Sequence, residues 1–273
     1  MTITGATVCY PLIGHPVAQV RTPPQINAWF AERALDATMF AVDMTPAVVD
    51  AFFDCLRAWR NCGGCSVTVP HKQAAFRAVD HATDRARQVG AVNIVRRAAD
   101  GSLSGDMTDG LAFVAALATR GIPLTGASVL LAGAGGGAGL AIALALAEAH
   151  VARLCLLEPD GGRRARAAAV LAEAFPRLAV DSRAAEAGFD IAINASPLGM
   201  IVGDPLPFDP ALVRPGGFVA DVVTKPPMPP LLKKAAACGL MVLTGNEMAD
   251  AQLPFQMRHL GLWPSGENSI EVA

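Results

Sequence analysis

From Gly121 to Ala147 the chain runs 27 residues without a charge. A membrane-crossing helix needs about 20 such residues to match a hydrocarbon core of about 30 Å. Five glycines, Gly133, Gly135, Gly136, Gly137 and Gly139, defeat that reading by dividing the run. What remains is an apolar segment from Val129 to Ala132, a turn, and a helical stretch from Leu140 to Glu148, each too short to span a bilayer. The next apolar run, Arg153 to Leu157, completes a strand, glycine turn, helix and strand in βαβ order. This segment confines the chain to an α/β architecture.

The turn reads GAGGGAG, and its position after a strand and before a helix suits backbone N–H groups of Gly133, Ala134, Gly135, Gly136 and Gly137 that cradle a pyrophosphate. Close helix–strand packing is the bland alternative. Glu158 lies 21 residues after Gly137, and Asp160 follows it, close to the spacing of about 20 expected for an acid that binds the ribose. A carboxylate there accepts from a free 2′-hydroxyl and repels a 2′-phosphate, so NAD is expected over NADP. Arg163, Arg164 and Arg166 stand close enough in sequence to offset part of that repulsion.

The alternation extends along the chain. Apolar runs at Thr7 to Ile13, Thr38 to Val42, Ser66 to Val69 and Ala91 to Val95 are separated by helical periodicity at Gln25 to Arg33 and Val48 to Arg60. Further strands are expected at Ile191 to Asn194, Gly217 to Asp221 and Leu240 to Leu243. Two βα blocks meeting near Asp106 predict two open sheets with ligands in a cleft between them, a size that 273 residues can fill.

Composition narrows the function classes. With 22 Lys and Arg against 24 Asp and Glu, the net charge is −2, which argues against a nucleic-acid or acidic-membrane surface. The N-terminus lacks a basic region followed by an apolar one, so a cytoplasmic enzyme is expected. Six scattered cysteines suit free thiols, and Cys62 and Cys65, without a helix start or a second ligand pair, read as structural. The five histidines show no metal-ligand spacing, so no metal is expected.

Only four lysines occur, and Lys72 is the sole one before residue 225. Arginine holds its proton at neutral pH, whereas a lysine can be tuned into range, so Lys72 at a strand end is a candidate acid/base. In GDMTDG, Gly105 to Gly110, two carboxylates sit at a turn opening a helix from Leu111 to Ala118. Capping needs only one of Asp106 and Asp109, leaving the other available to pair with a cation such as Lys72.

These segments, with CSVTVPHK at Cys65 to Lys72, GAVN at Gly90 to Asn93, NASPLGM at Asn194 to Met200 and GNEMADAQ at Gly245 to Gln252, together resemble the shikimate/quinate dehydrogenase family in order and spacing over residues 7 to 262. The resemblance implies an N-terminal open α/β substrate domain at 1–107, a Rossmann doubly wound nucleotide-binding domain at 108–246, and a C-terminal helix at 247–273 returning to the first domain. It implies that Lys72 and Asp109 are the catalytic pair, moving a proton as hydride passes between a cyclic hydroxy acid and the nicotinamide, to give a keto product of the 3-dehydroshikimate type. Thr68, Asn93 and Gln252 would hold ring hydroxyls or carboxylate, and Asn194, Ser196, Pro197, Met200, Val222, Gly245 and Met248 would line the cofactor. A small-molecule substrate, and a monomer or homodimer, are the implied partners.

Departures from the family pattern shape the substrate expectation. Val20 and Thr22 stand where the family places two carboxylate-gripping serines, and Thr224 where it places a tyrosine. Met107 replaces the usual asparagine of GDNTDG, and Pro254 is expected to interrupt the helix after Gln252, affecting the reach of Gln252 and Gln256. These changes resemble divergent, shikimate dehydrogenase-like branches. The alternative is a nucleotide-binding protein of the same fold with a different ligand and little or no turnover. Folate dehydrogenases of related architecture are a weaker alternative, because their tyrosine-bearing lysine motif is absent.

Overall fold

The computed structural model describes residues 2–18, 20–182 and 187–264, so the end of the expected C-terminal segment, 265–273, lies outside the described residues. Two compact units are present. One is formed by the chain up to Thr108 together with the segment from Leu253, the other by Asp109–Gln252.

The first unit runs through β1 (Val8–Gly14), α1 (Thr22–Glu32), β2 (Ala37–Asp43), α2 (Val49–Ala58), β3 (Gly64–Val67), α3 (Lys72–Ala78), β4 (His81–Ala82), α4 (Asp84–Val89), β5 (Ile94–Arg97) and β6 (Leu103–Asp106). The strands form one sheet in the order β2-β1-β3-β5-β6-β4, with β1 parallel to β2 and β3, and β5 antiparallel to its neighbours. Helix α1 carries Pro23 and Pro24 in its first turn, where backbone N–H groups have no helical partner, and buries Ile26, Trp29 and Phe30 at helical spacing. Those side chains meet Tyr10, Leu12, Met39 and Ile94 in the core. The Asn27 amide takes both backbone groups of Met39, donating to its carbonyl at 2.8 Å and accepting from its N–H at 2.7 Å. This covers the middle of an edge strand that would otherwise offer itself for pairing.

The second unit contains α5 (Asp109–Thr119), β7 (Ser128–Ala132), α6 (Gly137–Glu148), β8 (Arg153–Leu157), α7 (Gly161–Ala174), β9 (Ala179–Asp181), β10 (Phe189–Asn194), β11 (Val213–Asp221), α8 (Pro230–Ala237), β12 (Met241–Leu243) and the start of α9 (Gly245–His259). Its six strands are all parallel, in the order β12-β11-β10-β7-β8-β9. The chargeless stretch is explained by burial: every residue of α6 from Gly139 to Ala147 is buried, as a helix apolar all round requires. A Cβ on Gly110 would run into the Ala141 carbonyl, so α5 and α6 pack backbone to backbone there. No helix among the described residues is long and apolar enough to cross a membrane.

One expectation is corrected by α9, which continues through Pro254 to His259. Proline costs a helix about 3 kcal/mol through its missing N–H and its clash with the preceding turn. The residues beyond it offset that cost: Phe255, Gln256, Met257 and Leu260 are buried, and Leu253, Met257 and Leu260 join the first unit's core. Burial of each large apolar side chain contributes about 1.5–3 kcal/mol.

Candidate active site

In the second unit the parallel register sets Leu157, Ala132, Asn194 and Asp221 in one row at the carboxyl ends of β8, β7, β10 and β11. The chain leaves β7 toward β8 on one side and has β10 on the other, so the strand order reverses between β7 and β10. Ligands of open α/β sheets bind at such a reversal. The loops after these two strands touch: a Cβ on Gly133 would lie 2.6 Å from the Ser196 nitrogen, and Gly133 has a φ of 79°, where glycine is favoured.

Gly136 is different. It caps α6 with an ordinary extended backbone (φ −79°, ψ 164°), and a Cβ there would meet only the Gly133 carbonyl at 3.4 Å. Neither conformation nor internal packing requires a glycine, so the bare backbone at the head of α6 fits close approach by an anionic ligand. Glu158 is buried beside this turn. Its carboxylate accepts from Gly135 N–H at 3.1 Å and Asp160 N–H at 3.2 Å, and pairs with Arg163 at 3.1 Å. Asp160 instead accepts from Arg163 N–H at 2.8 Å and caps α7. Arg164 donates to the Glu158 carbonyl.

Asn194 uses its whole amide: it donates to the Leu198 carbonyl at 2.9 Å and Asp221 Oδ1 at 3.0 Å, and accepts from Ser196 N–H at 3.0 Å and Ser196 Oγ at 2.6 Å. Val222, half-buried, donates its N–H to the Asn194 carbonyl, while Pro197 and Met200 are exposed and Thr224 is half-buried. Gly245 opens α9 where a Cβ would strike the Val222 carbonyl at 2.5 Å, and Met248 is buried one turn later. Sequence reasoning passed over Asp221, although an acid closing the apolar run Gly217 to Asp221 is a signal. Burial pushes its carboxyl up to about 7, against hydrogen bonds from Val223 and Asn194.

Asp109, the first residue of α5, accepts from the Gln252 side chain at 2.8 Å. Asp106 closes β6 and is not a cap. Arg85 grips both of its oxygens, Thr83 Oγ1 donates at 2.5 Å, and Met107 N–H donates at 2.7 Å. Burial alone would raise the Asp106 carboxyl, but these bonds and the Arg85 charge hold it below the usual carboxylate range.

In the first unit the strand order reverses between β1 and β3, and the segments after both carry the expected residues. Lys72 opens α3 rather than ending a strand; β3 stops at Val67, and Val92 N–H binds the Lys72 carbonyl at 2.9 Å, which delays β5 to Ile94. The preceding His71 is buried, its Nε2 donating to the Met44 carbonyl at 2.6 Å. Thr68 lies against Gly14, whose added Cβ would strike its methyl. Asn93 is buried, donating to Thr108 Oγ1 at 3.1 Å and accepting from Thr108 N–H at 3.0 Å. Val20 packs against the core margin, Thr22 begins α1, and Arg21 before it is exposed. Missed in the sequence is His15 just after β1, paired through Nδ1 with Asp43 of β2 at 2.6 Å. Cys62 and Cys65 are buried, and burial pushes the Cys62 thiol up to about 11, so it stays protonated at neutral pH.

Comparison with known proteins accounts for both units. Residues 12–95 match the shikimate dehydrogenase substrate binding domain. The shikimate dehydrogenase (NADP(+)) of Rubrobacter xylanophilus is 39% identical over 257 residues, covering 90% of this chain and 88% of that protein. The solved shikimate 5-dehydrogenase of Thermus thermophilus in complex with NADP(H) and shikimate superposes with a TM-score of 0.82 at 30% identity, covering 94% of this chain and 95% of that one. The quinate dehydrogenase of Corynebacterium glutamicum in complex with NAD gives 0.81 at 31% identity and 95% coverage of each. The chain belongs to the shikimate/quinate dehydrogenase family.

Proposed function

We propose that this NAD(P)-dependent oxidoreductase of the shikimate dehydrogenase type prefers NAD and interconverts a cyclic hydroxy acid, quinate or a relative rather than shikimate, with its keto form. The cofactor reading rests on one observation, the buried Glu158 carboxylate held against the glycine turn by Gly135 N–H. An acid fixed there favours a ribose with a free 2′-hydroxyl and disfavours a 2′-phosphate, with Arg163 offsetting part of the charge. Relatives support both nucleotides in the family, NADP(+) in the Rubrobacter enzyme and NAD in the Corynebacterium quinate dehydrogenase.

The bare backbone from Gly133 to Gly137 would hold the pyrophosphate, Glu158 the ribose, and the Asn194 to Met200 segment with Val222, Gly245 and Met248 the remainder. The bound dinucleotide supplies or accepts hydride. Lys72 Nζ takes the proton from the substrate carbinol oxygen during oxidation and returns it during reduction, with Asp109 as the second member of the proton-handling pair. Thr68, Asn93 and Gln252 orient the ring through hydroxyl and amide groups. Val20 offers no hydroxyl, and Thr224 is shorter than a tyrosine, so a carboxylate is gripped less firmly than in relatives with serine and tyrosine at these positions.

The test is a scan of NAD and NADP reduction over shikimate, quinate, aminoshikimate and related cyclic hydroxy acids. NAD-linked oxidation with quinate or a relative ahead of shikimate is expected. Equal use of both nucleotides defeats the cofactor reading, and shikimate as the best substrate defeats the substrate reading.

A further inference from the structure

Asp221 is a fully buried acid at the carboxyl end of β11, an interior strand, in register with Asn194. Its Oδ1 accepts two hydrogen bonds, from Asn194 Nδ2 at 3.0 Å and Val223 N–H at 2.9 Å, while Oδ2 is buried with no hydrogen-bond partner. A buried carboxyl with an unmatched oxygen is costly, and the three residues before it on the strand, Phe218, Val219 and Ala220, are all apolar and buried. The two bonds it makes have one thing in common: each fixes a segment that leaves the carboxyl edge of the sheet.

Through Asn194 the effect spreads. That amide has four hydrogen-bonding positions and all are filled, two by Ser196, one by the Leu198 carbonyl and one by Asp221. Without Asp221 one amide hydrogen of Asn194 loses its acceptor inside a site with no exposure to water, and the side chain can satisfy it only by turning. Turning it releases Ser196 and Leu198. The Val223 N–H is orphaned at the same time, loosening the segment between Val222 and Thr224.

We propose that Asp221 is a positioning residue of the nucleotide site: its Oδ1 holds the turn from Asn194 to Leu198 and the segment from Val222 to Thr224 in the shape that receives the dinucleotide. The inference rests on the reading of the second unit as nucleotide-binding. It requires an acceptor at Oδ1, not a charge, so asparagine, which keeps that oxygen, should replace aspartate.

The experiment measures NADH and NADPH binding by nucleotide fluorescence and calorimetry for the wild type, Asp221→Asn and Asp221→Leu, with thermal melts run alongside. Asp221→Asn is expected within about threefold of the wild-type Kd, and Asp221→Leu at least about tenfold weaker, since two buried donors lose their acceptor. Should Asp221→Leu fail to fold, Asp221→Ser, whose oxygen is too short to reach Asn194, takes its place with the same expectation. An apolar or serine variant that binds within about threefold of wild type overturns the inference, as does an Asp221→Asn variant as weak as Asp221→Leu. A wild-type protein that binds neither nucleotide overturns instead the reading of the second unit.

Discussion

Replacing Arg85 by methionine keeps most of the stem and removes the charge that holds Asp106. The carboxylate left behind has 3% side-chain exposure and, among the described residues, retains Thr83 and Met107 as close donors, with His259 Nδ1 4.0 Å away. Stranding a buried partner costs about 3–5 kcal/mol. The Arg85 side chain is 41% exposed, so water screens the pair, and about 2–4 kcal/mol is expected. With a urea m-value of about 2 kcal/mol/M this moves the midpoint down by about 1–2 M. All three tryptophans, Trp29, Trp59 and Trp263, belong to the first unit, so their fluorescence follows that unit alone. The Asp106→Asn and double variants complete a cycle in which the coupling should exceed about 1.5 kcal/mol. The folded Asp106 carboxyl titrates below its unfolded value of 3.8, so the stabilisation is complete above that value and lost as pH falls through the lower folded one. The cost of Arg85→Met should therefore shrink in acid. A coupling under about 0.5 kcal/mol at pH 7 refutes the reasoning.

Three further outcomes test the chemistry. Lys72→Ala should lower kcat at least about 100-fold while nucleotide affinity holds, because Lys72 belongs to the first unit; a kcat within about threefold of wild type rules out its proton role. Wild-type protein should favour NAD over NADP by about 10- to 150-fold in kcat/KM, and Glu158→Ala should abolish that preference; Asp160 is left intact because it caps α7. Val20→Ser, alone and with Thr224→Tyr, should raise kcat/KM for shikimate by up to about 10- to 150-fold, and a gain under about threefold in both places the carboxylate grip elsewhere.

The local patterns were legible in the sequence because their causes are local. Alternating apolar runs and the strand, glycine turn and helix around Gly133 follow from backbone geometry over a few residues, and the acid 21 residues beyond Gly137 is read from spacing within one βαβ unit. The singularity of Lys72 required only counting. Tertiary structure decided which partner each polar group takes. GDMTDG shows two aspartates, but only folding brings Arg85 and Thr83 onto Asp106 and Gln252 onto Asp109. Asp160 looked equivalent to Glu158 until α7 claimed it as a cap. Pro254 reads as a helix breaker, and the break is prevented by burial of Met257 and Leu260 against residues more than 200 positions earlier, such as Tyr10 and Ile26. The state of Asp221 depends on the same kind of long-range fact, a neighbour on another strand and the exclusion of water. Periodicity records which way a side chain faces; desolvation and partnership depend on what the rest of the chain brings to it.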